Sequence, residues 1–184
     1  MIEFDHELWL DRAEARFKKA SSRAVARGQK GKYREQWLRE VRCIAGLAEV
    51  IGWCNTKGIS VSFGKKVGAT YDTIDKTICI SGRMSPERQL YMLLHECGHH
   101  LIGFDEGDER FGKGYPLVED PVHNATFQHR FACFEEEIEA WNRGWRLAKR
   151  LGLELPREDF DKVRLECLRS YVRWVNGRKL MLTE

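Results

Sequence analysis

The sequence predicts one α+β domain with a small, mainly antiparallel three-stranded sheet and several helices. Apolar residues recur at helical spacing before and after three short segments with strand character, which gives the order ααβββααα. The chain has 184 residues, of which 42% are hydrophobic and 32% are charged. This length and composition are ordinary for a globular domain with a sizeable core, so we expect residues 1–184 to form a single domain.

The N-terminal part, residues 1–57, is predicted to be helical. Residues 5–27 carry apolar side chains at helical spacing, and the two glycines of residues 28–31 interrupt that helix. A second and stronger apolar stripe begins near Trp37 and ends near Gly58, because a glycine is typical of a helix C-terminus.

The next part, residues 59–152, begins with three predicted strands. Residues 59–63 alternate between apolar and polar side chains, a second strand is expected near residues 68–72, and residues 77–81 follow an Asp-Lys turn. Because the third strand directly precedes the helix discussed next, we expect it to present a sheet edge on which a peptide can add as an extra strand.

A helix follows, and it contains the most informative motif of the chain. Ser85 and Pro86 are typical of a helix N-cap and first helical position. Residues 95–99 have the pattern H-E-x-x-H, and in a helix histidines four residues apart point the same way. Two imidazoles on one face, His95 and His99, can bind one Zn²⁺ ion, and Glu96 can act as general base toward a metal-bound water.

A catalytic zinc site needs a third protein ligand, and the best source is the acidic start of the helix predicted for residues 131–151. On a helical wheel Glu137 shares a face with Trp141 and Gly144, the side that is expected to pack inward. We therefore predict Glu137 as the third ligand. Glu136 lies at the edge of the same face and is the alternative.

Residues 103–130 are rich in glycine and proline and predict a long irregular segment with further candidates. Asp105 falls where metzincins place their third ligand, but Ile102 stands where their motif requires a glycine. The candidates for a hydrogen bond to the oxyanion of a tetrahedral intermediate are Tyr115, His123 and His129.

The last predicted element is a helix over residues 157–176, which Pro156 starts. Its apolar face includes Phe160, Val163, Leu168, Tyr171 and Val175. The six cysteines form no C-x-x-C pair and several lie in apolar stripes, so we expect core residues rather than disulfide partners. Cys97 lies on the core side of the motif helix and is not expected to bind the metal.

Composition also bears on location and partners. The sequence has no apolar run close to the roughly 18–20 residues of a membrane span, and its N-terminus lacks a signal-peptide apolar core. We therefore expect a cytoplasmic protein without a membrane partner. Residues 12–42 hold eleven Lys and Arg against three acids. We interpret them as the solvated faces of two helices, and the alternative is a surface for nucleic acid or an acidic partner.

Over residues 59–148 the chain resembles the ImmA/IrrE-type small zinc metallopeptidases and, more broadly, the minimal gluzincins. The resemblance is carried by Tyr71-Asp72, Thr77-Ile78-Cys79-Ile80, Glu87, Leu94-His95-Glu96-Cys97-Gly98-His99 and a Glu-rich stretch that ends in Ala140. It implies a zincin-like fold, a Zn²⁺ cofactor and a peptide or protein substrate. The E-x-x-A pattern of that family maps to Glu137 and Ala140, and its members suggest an intracellular regulatory protein as substrate.

The sequence thus predicts a zinc-dependent metallopeptidase in which His95, His99 and Glu137 hold the metal and Glu96 is the general base. One alternative is a metal-binding regulatory or interaction module without efficient proteolysis. Another is a protease that acts on nucleic-acid-bound proteins through residues 12–42.

Overall fold

The computed structural model describes residues 4–25, 30–65, 68–104 and 126–177. These residues form an α+β arrangement of five helices and three strands, which confirms the predicted class. The helices are α1 (His6–Val25), α2 (Lys30–Thr56), α3 (Pro86–Phe104), α4 (Phe127–Arg150) and α5 (Arg157–Val175). The strands are β1 (Ser60–Gly64), β2 (Ala69–Asp72) and β3 (Thr77–Ser81).

The sheet is mixed, with the strand order β1-β3-β2. β3 pairs in parallel with β1 and antiparallel with β2, so the prediction of a mainly antiparallel sheet is wrong for one of the two pairings. β3 occupies the centre of the sheet because it carries the fully buried Ile78 and Ile80. The expectation that residues 77–81 form a sheet edge is wrong for the same reason. In the described chain the outer strands are β1 and β2.

The motif helix α3 begins as its sequence predicts and runs through the interior. The backbone N–H of Arg88 donates to Oγ of Ser85 at 3.3 Å, and Pro86 is the first helical residue. α3 packs against α2, both strands β2 and β3, α4 and α5. Residues 90–98 are all buried, which is the pattern of a helix that is covered on several sides.

The backbones of α3 and α4 touch at two glycines. A Cβ atom added to Gly98 would lie 1.9 Å from the carbonyl oxygen of Ala140. A Cβ atom added to Gly144 would lie 2.4 Å from the carbonyl oxygen of Leu94. Because the atoms in the way are backbone atoms, any larger residue at either position would force the two helices apart. Gly98 and Gly144 therefore set how closely the two helices approach.

α4 begins earlier than its sequence pattern predicts. It starts at Phe127 rather than residue 131, and Oγ1 of Thr126 accepts a hydrogen bond from the backbone N–H of His129 at 3.2 Å. This threonine is an ordinary N-cap, so the signal was present in the sequence. The expectation of irregular backbone up to residue 130 is wrong for residues 127–130.

All six cysteines are free thiols, and Cys43, Cys54, Cys97 and Cys133 are buried. The interpretation of the cysteines as core residues rather than disulfide partners is therefore confirmed. Within the described ranges, no helix combines the length and the apolar character that crossing a membrane requires.

The contact between α3 and α4 generates the first prediction. We expect Gly98→Ala to lower the free energy of unfolding by at least about 2 kcal/mol, because the added methyl group meets a backbone carbonyl that cannot rotate away. Gly103→Ala is the matched control in the same helix, since nothing lies within 4 Å of its added Cβ. It should stay within about 1 kcal/mol of wild type, on the stabilising side. Urea unfolding measures both, and equal stability of the two variants would contradict the close contact.

Candidate metal centre

Three predicted ligands meet where α3 packs against α4. Nε2 of His95 lies 3.3 Å from Oε2 of Glu137, and Nε2 of His99 lies 3.3 Å from Oε1 of the same carboxylate. One ligand atom from each of the three residues can be chosen so that all lie within 4.8 Å of one another. The two histidines come from successive turns of one helix, whereas the glutamate comes from the other helix. Among the described residues, this is the one group of three or more His, Cys, Asp or Glu side chains with such spacing.

The spacing and chemistry of the group fit a metal ion. Two atoms bound at about 2.0–2.1 Å to a tetrahedral ion lie roughly 3.3 Å apart, which is the distance from each imidazole Nε2 to the Glu137 oxygen that faces it, Oε2 for His95 and Oε1 for His99. Two imidazole nitrogens and one carboxylate oxygen are a ligand set of metalloenzymes. His95, His99 and Glu137 can therefore hold a metal ion.

The choice between the two adjacent glutamates follows from their positions. The side chain of Glu137 is 13% exposed and its oxygens face both imidazoles through their Nε2 atoms. The side chain of Glu136 is 29% exposed, and its Oε1 lies 3.5 Å from Nδ1 of His99, on the other side of that ring. Glu136 thus lies beside one histidine, and only Glu137 reaches both.

The carboxylate of Glu139 pairs with arginine side chains. It accepts hydrogen bonds from Nε of Arg143 at 3.0 Å and from Arg146, so it is a partner of arginines on its own helix. These bonds hold the pKa of Glu139 below its ordinary value even though burial acts to raise it.

The carboxylate of Glu137 is buried, and its surroundings keep it ionised. Burial acts to raise the pKa of Glu137, but the charge of His99 and hydrogen bonds from both histidines override it and hold that pKa well below its usual range. The same two effects act on the pKa of His99 with the opposite signs. Burial acts to lower its pKa, and the Glu137 charge raises the pKa well above its ordinary value.

Two aromatic residues complete the walls of the site. The ring of His95 stacks on Trp141, with centroids 4.4 Å apart and planes at 18°. Trp141 is fully buried and lies on the inward face of α4 that the helical wheel predicts. The hydroxyl of Tyr171 in α5 donates to Oε1 of Glu137 at 2.9 Å. The sequence pattern places Tyr171 only on an apolar helix face, and nothing local indicates its polar partner.

Glu96, the predicted general base, is 5% exposed and lies on α3 next to His95. Burial raises the pKa of Glu96, and the charge of Glu137 raises it further, while His95 and His99 oppose this. All three predicted ligands thus act electrostatically on Glu96. A buried carboxyl group whose pKa is raised by its surroundings is a stronger base than a carboxyl group in water.

The remaining candidates fall into two groups. His129 is buried in the first turn of α4, with Nε2 at 3.5 Å from Sγ of Cys133 and its ring edge-on to Trp174. This places it about two helical turns from Glu137, or roughly 12 Å along the axis. The other candidates, Asp105, Tyr115 and His123, lie outside the described residues.

Comparisons with known proteins do not add a relative to this picture. No family model matches the chain, and neither a curated protein nor a solved structure matches it. The chemistry of the site therefore has to be argued from its own residues.

The geometry generates a prediction about metal content. We expect the purified protein to hold about one divalent metal ion per chain, measured by inductively coupled plasma mass spectrometry. His95→Ala, His99→Ala and Glu137→Ala should each weaken binding by more than about 100-fold, because the loss of a ligand should exceed the 10–100-fold cost of losing an outer partner. In each case two of the three ligands remain, so chelator competition can measure the residual affinity.

The matched controls are alanine variants of the other acids, Glu135, Glu136, Glu139 and Asp105. Glu139→Ala removes a carboxylate from the same helix that pairs with arginines instead, so its metal affinity should stay near that of wild type. A larger loss in Glu136→Ala than in Glu137→Ala would mean that α4 is rotated by about one residue. A larger loss in Asp105→Ala would reject Glu137 as the third ligand.

Proposed function

We propose that this protein is a cytoplasmic zinc-dependent metallopeptidase that hydrolyses peptide bonds with Glu96 as general base. The observation that carries the proposal is the approach of the Glu137 carboxylate to both motif imidazoles, at 3.3 Å each, beside the buried Glu96. The resemblance to the ImmA/IrrE-type peptidases agrees with it and stays a prediction, as does the zincin-like fold. An intracellular regulatory protein is the expected substrate.

Zinc is the metal that this ligand set favours. Two imidazoles with one carboxylate suit a borderline ion, whereas Ca²⁺ and Mg²⁺ prefer oxygen ligands alone. Structural zinc sites use four protein ligands, but the described group offers three, which leaves a position for water or substrate. When bound, Zn²⁺ polarises a peptide carbonyl and lowers the pKa of a water molecule to about 7.

The residues of the chain then supply the proton transfers. Glu96 accepts a proton from the attacking water, whose oxygen forms a bond to the carbonyl carbon of the substrate. When the C–N bond breaks, Glu96 returns the proton to the leaving amine nitrogen. Burial raises the pKa of Glu96 above its ordinary value, which makes its carboxylate a stronger base toward the attacking water. His95, His99 and Glu137 stay in place throughout and hold the metal.

Two other functions use the same metal ligands. A regulatory or interaction module would bind zinc and cleave nothing. A protease for nucleic-acid-bound proteins would use the basic region at residues 12–42. In the described part of that region Arg16 pairs with Glu40, and Lys18 with Glu14. These pairs neutralise part of the charge and favour the interpretation as a solvated surface.

The test is the substitution Glu96→Gln. We expect this variant to keep its fold and its zinc but to lose at least about 1000-fold in hydrolysis, since an amide cannot accept the proton of water. The substrate is a peptide library made from a bacterial proteome, and new N-termini are counted by mass spectrometry. Wild type should cleave it when loaded with zinc and stop when a chelator removes the metal.

The matched control is Glu87→Gln, the same change in the same helix. Glu87 lies near Arg39 at 3.7 Å and accepts from the hydroxyl of Tyr91 at 3.4 Å, outside the metal group. This variant should cleave at the wild-type rate. Equal rates in Glu96→Gln and wild type would reject the mechanism. Zinc binding without any cleavage would favour the regulatory module, and cleavage that appears only with DNA and disappears at high salt would favour the third function.

A further inference from the structure

The hydroxyl of Tyr171 completes the surroundings of the Glu137 carboxylate. Its oxygen lies 2.9 Å from Oε1, and the same Oε1 lies 3.3 Å from Nε2 of His99. The other oxygen, Oε2, faces His95 at 3.3 Å. Each carboxylate oxygen thus has its imidazole, and one of them also has a donor from a third helix.

We propose that Tyr171 is a positioning residue of the metal centre, which fixes the Glu137 carboxylate toward His95 and His99 and so tightens metal binding. The inference rests on the proposed function, because it concerns the same zinc site, and it adds α5 to the elements that build that site. Tyr171 would act through Glu137 and would not touch the metal or the substrate.

The hydrogen bond between Tyr171 and Glu137 can run in only one direction. An ionised carboxylate can only accept, so the phenol must donate its single proton to Oε1. That proton is thereby committed to Glu137. A bond of this kind to an ionised group is among the stronger hydrogen bonds in proteins, and it has the geometry to hold one orientation of the carboxylate.

Tyr171 is also more rigid than the glutamate that it contacts. A glutamate has three side-chain torsions, so its position on α4 leaves the direction of the carboxylate open. Tyr171 has few torsions and is held where α5 packs against α4, with its ring edge-on to Trp174 at 6.4 Å between centroids. Outer partners of this kind orient metal ligands and typically change metal affinity by 10–100-fold when they are removed.

The experiment compares zinc affinity in wild type, Tyr171→Phe and Tyr91→Phe by competition with a chromophoric chelator, without substrate. Tyr91→Phe is the matched control, because Tyr91 is also a tyrosine bonded to a glutamate, and that glutamate, Glu87, lies outside the metal group. We expect Tyr171→Phe to weaken zinc binding by about 10–100-fold and the control to stay within about twofold. Urea unfolding of the metal-free proteins reports the integrity of each fold.

A double-mutant cycle separates positioning from a general structural effect. If Tyr171 acts through Glu137, then Tyr171→Phe should change zinc affinity by less than about twofold in the Glu137→Ala background, where only the two histidines remain. An equal loss in both backgrounds would overturn the inference, as would wild-type affinity in Tyr171→Phe. This comparison of backgrounds stays decisive if the substitution also lowers stability.

The outcome can be separated from a failure of the proposed function. Zinc binding that depends on Glu137 but not on Tyr171 would overturn this inference and leave the peptidase proposal standing. Loss of affinity in Tyr171→Phe would support the inference even if no peptide is ever cleaved. A wild-type protein that binds no zinc would overturn both. Unchanged zinc affinity with a lowered kcat would make Tyr171 a catalytic residue instead and would also overturn the positioning role.

Discussion

The candidate metal centre depends on the direct contact between the backbones of α3 and α4. Gly98 touches Ala140 and Gly144 touches Leu94, which means that the two helices run antiparallel with no side chain between them at these points. The histidines are fixed relative to each other by their helix, so the one distance left open is that to Glu137. Gly98 and Gly144 keep that distance short, because they let the two helices approach closely. Side chains at those positions would push α4 from α3 and move the carboxylate away from the imidazoles.

Two carboxylates share this small volume, and the structure treats them differently. Burial acts to raise the pKa of Glu137, but the two imidazoles that it faces hold that pKa low, and its carboxylate also accepts from the Tyr171 hydroxyl. Glu96 is buried on the motif helix, and burial together with the charge of Glu137 raises its pKa. The surroundings thus move the pKa values of the two neighbouring acids in opposite directions, a difference that the proposed roles of Glu137 and Glu96 require.

Sequence reasoning succeeded where the information is local. The H-E-x-x-H spacing determines how His95 and His99 lie relative to each other. The helical phase of α4 selects Glu137, because Glu137 shares a face with Trp141 and Gly144 and that face packs inward. It failed where the outcome depends on packing between distant segments. The sequence predicts three strands but not that β3 lies between the other two. In the sequence, Tyr171 cannot be distinguished from the other residues of an apolar helix face. Its contact with Glu137 forms only when α5 packs against α4.

A ligand set drawn from separate helices has a thermodynamic consequence. His95 and His99 are close in the chain and can meet an ion in the unfolded state, but Glu137 reaches them only after α3 and α4 have packed. An ion held by all three acts as a cross-link, and by mass action it favours the folded chain over the unfolded one. Metal supply would then govern how long the protein survives degradation.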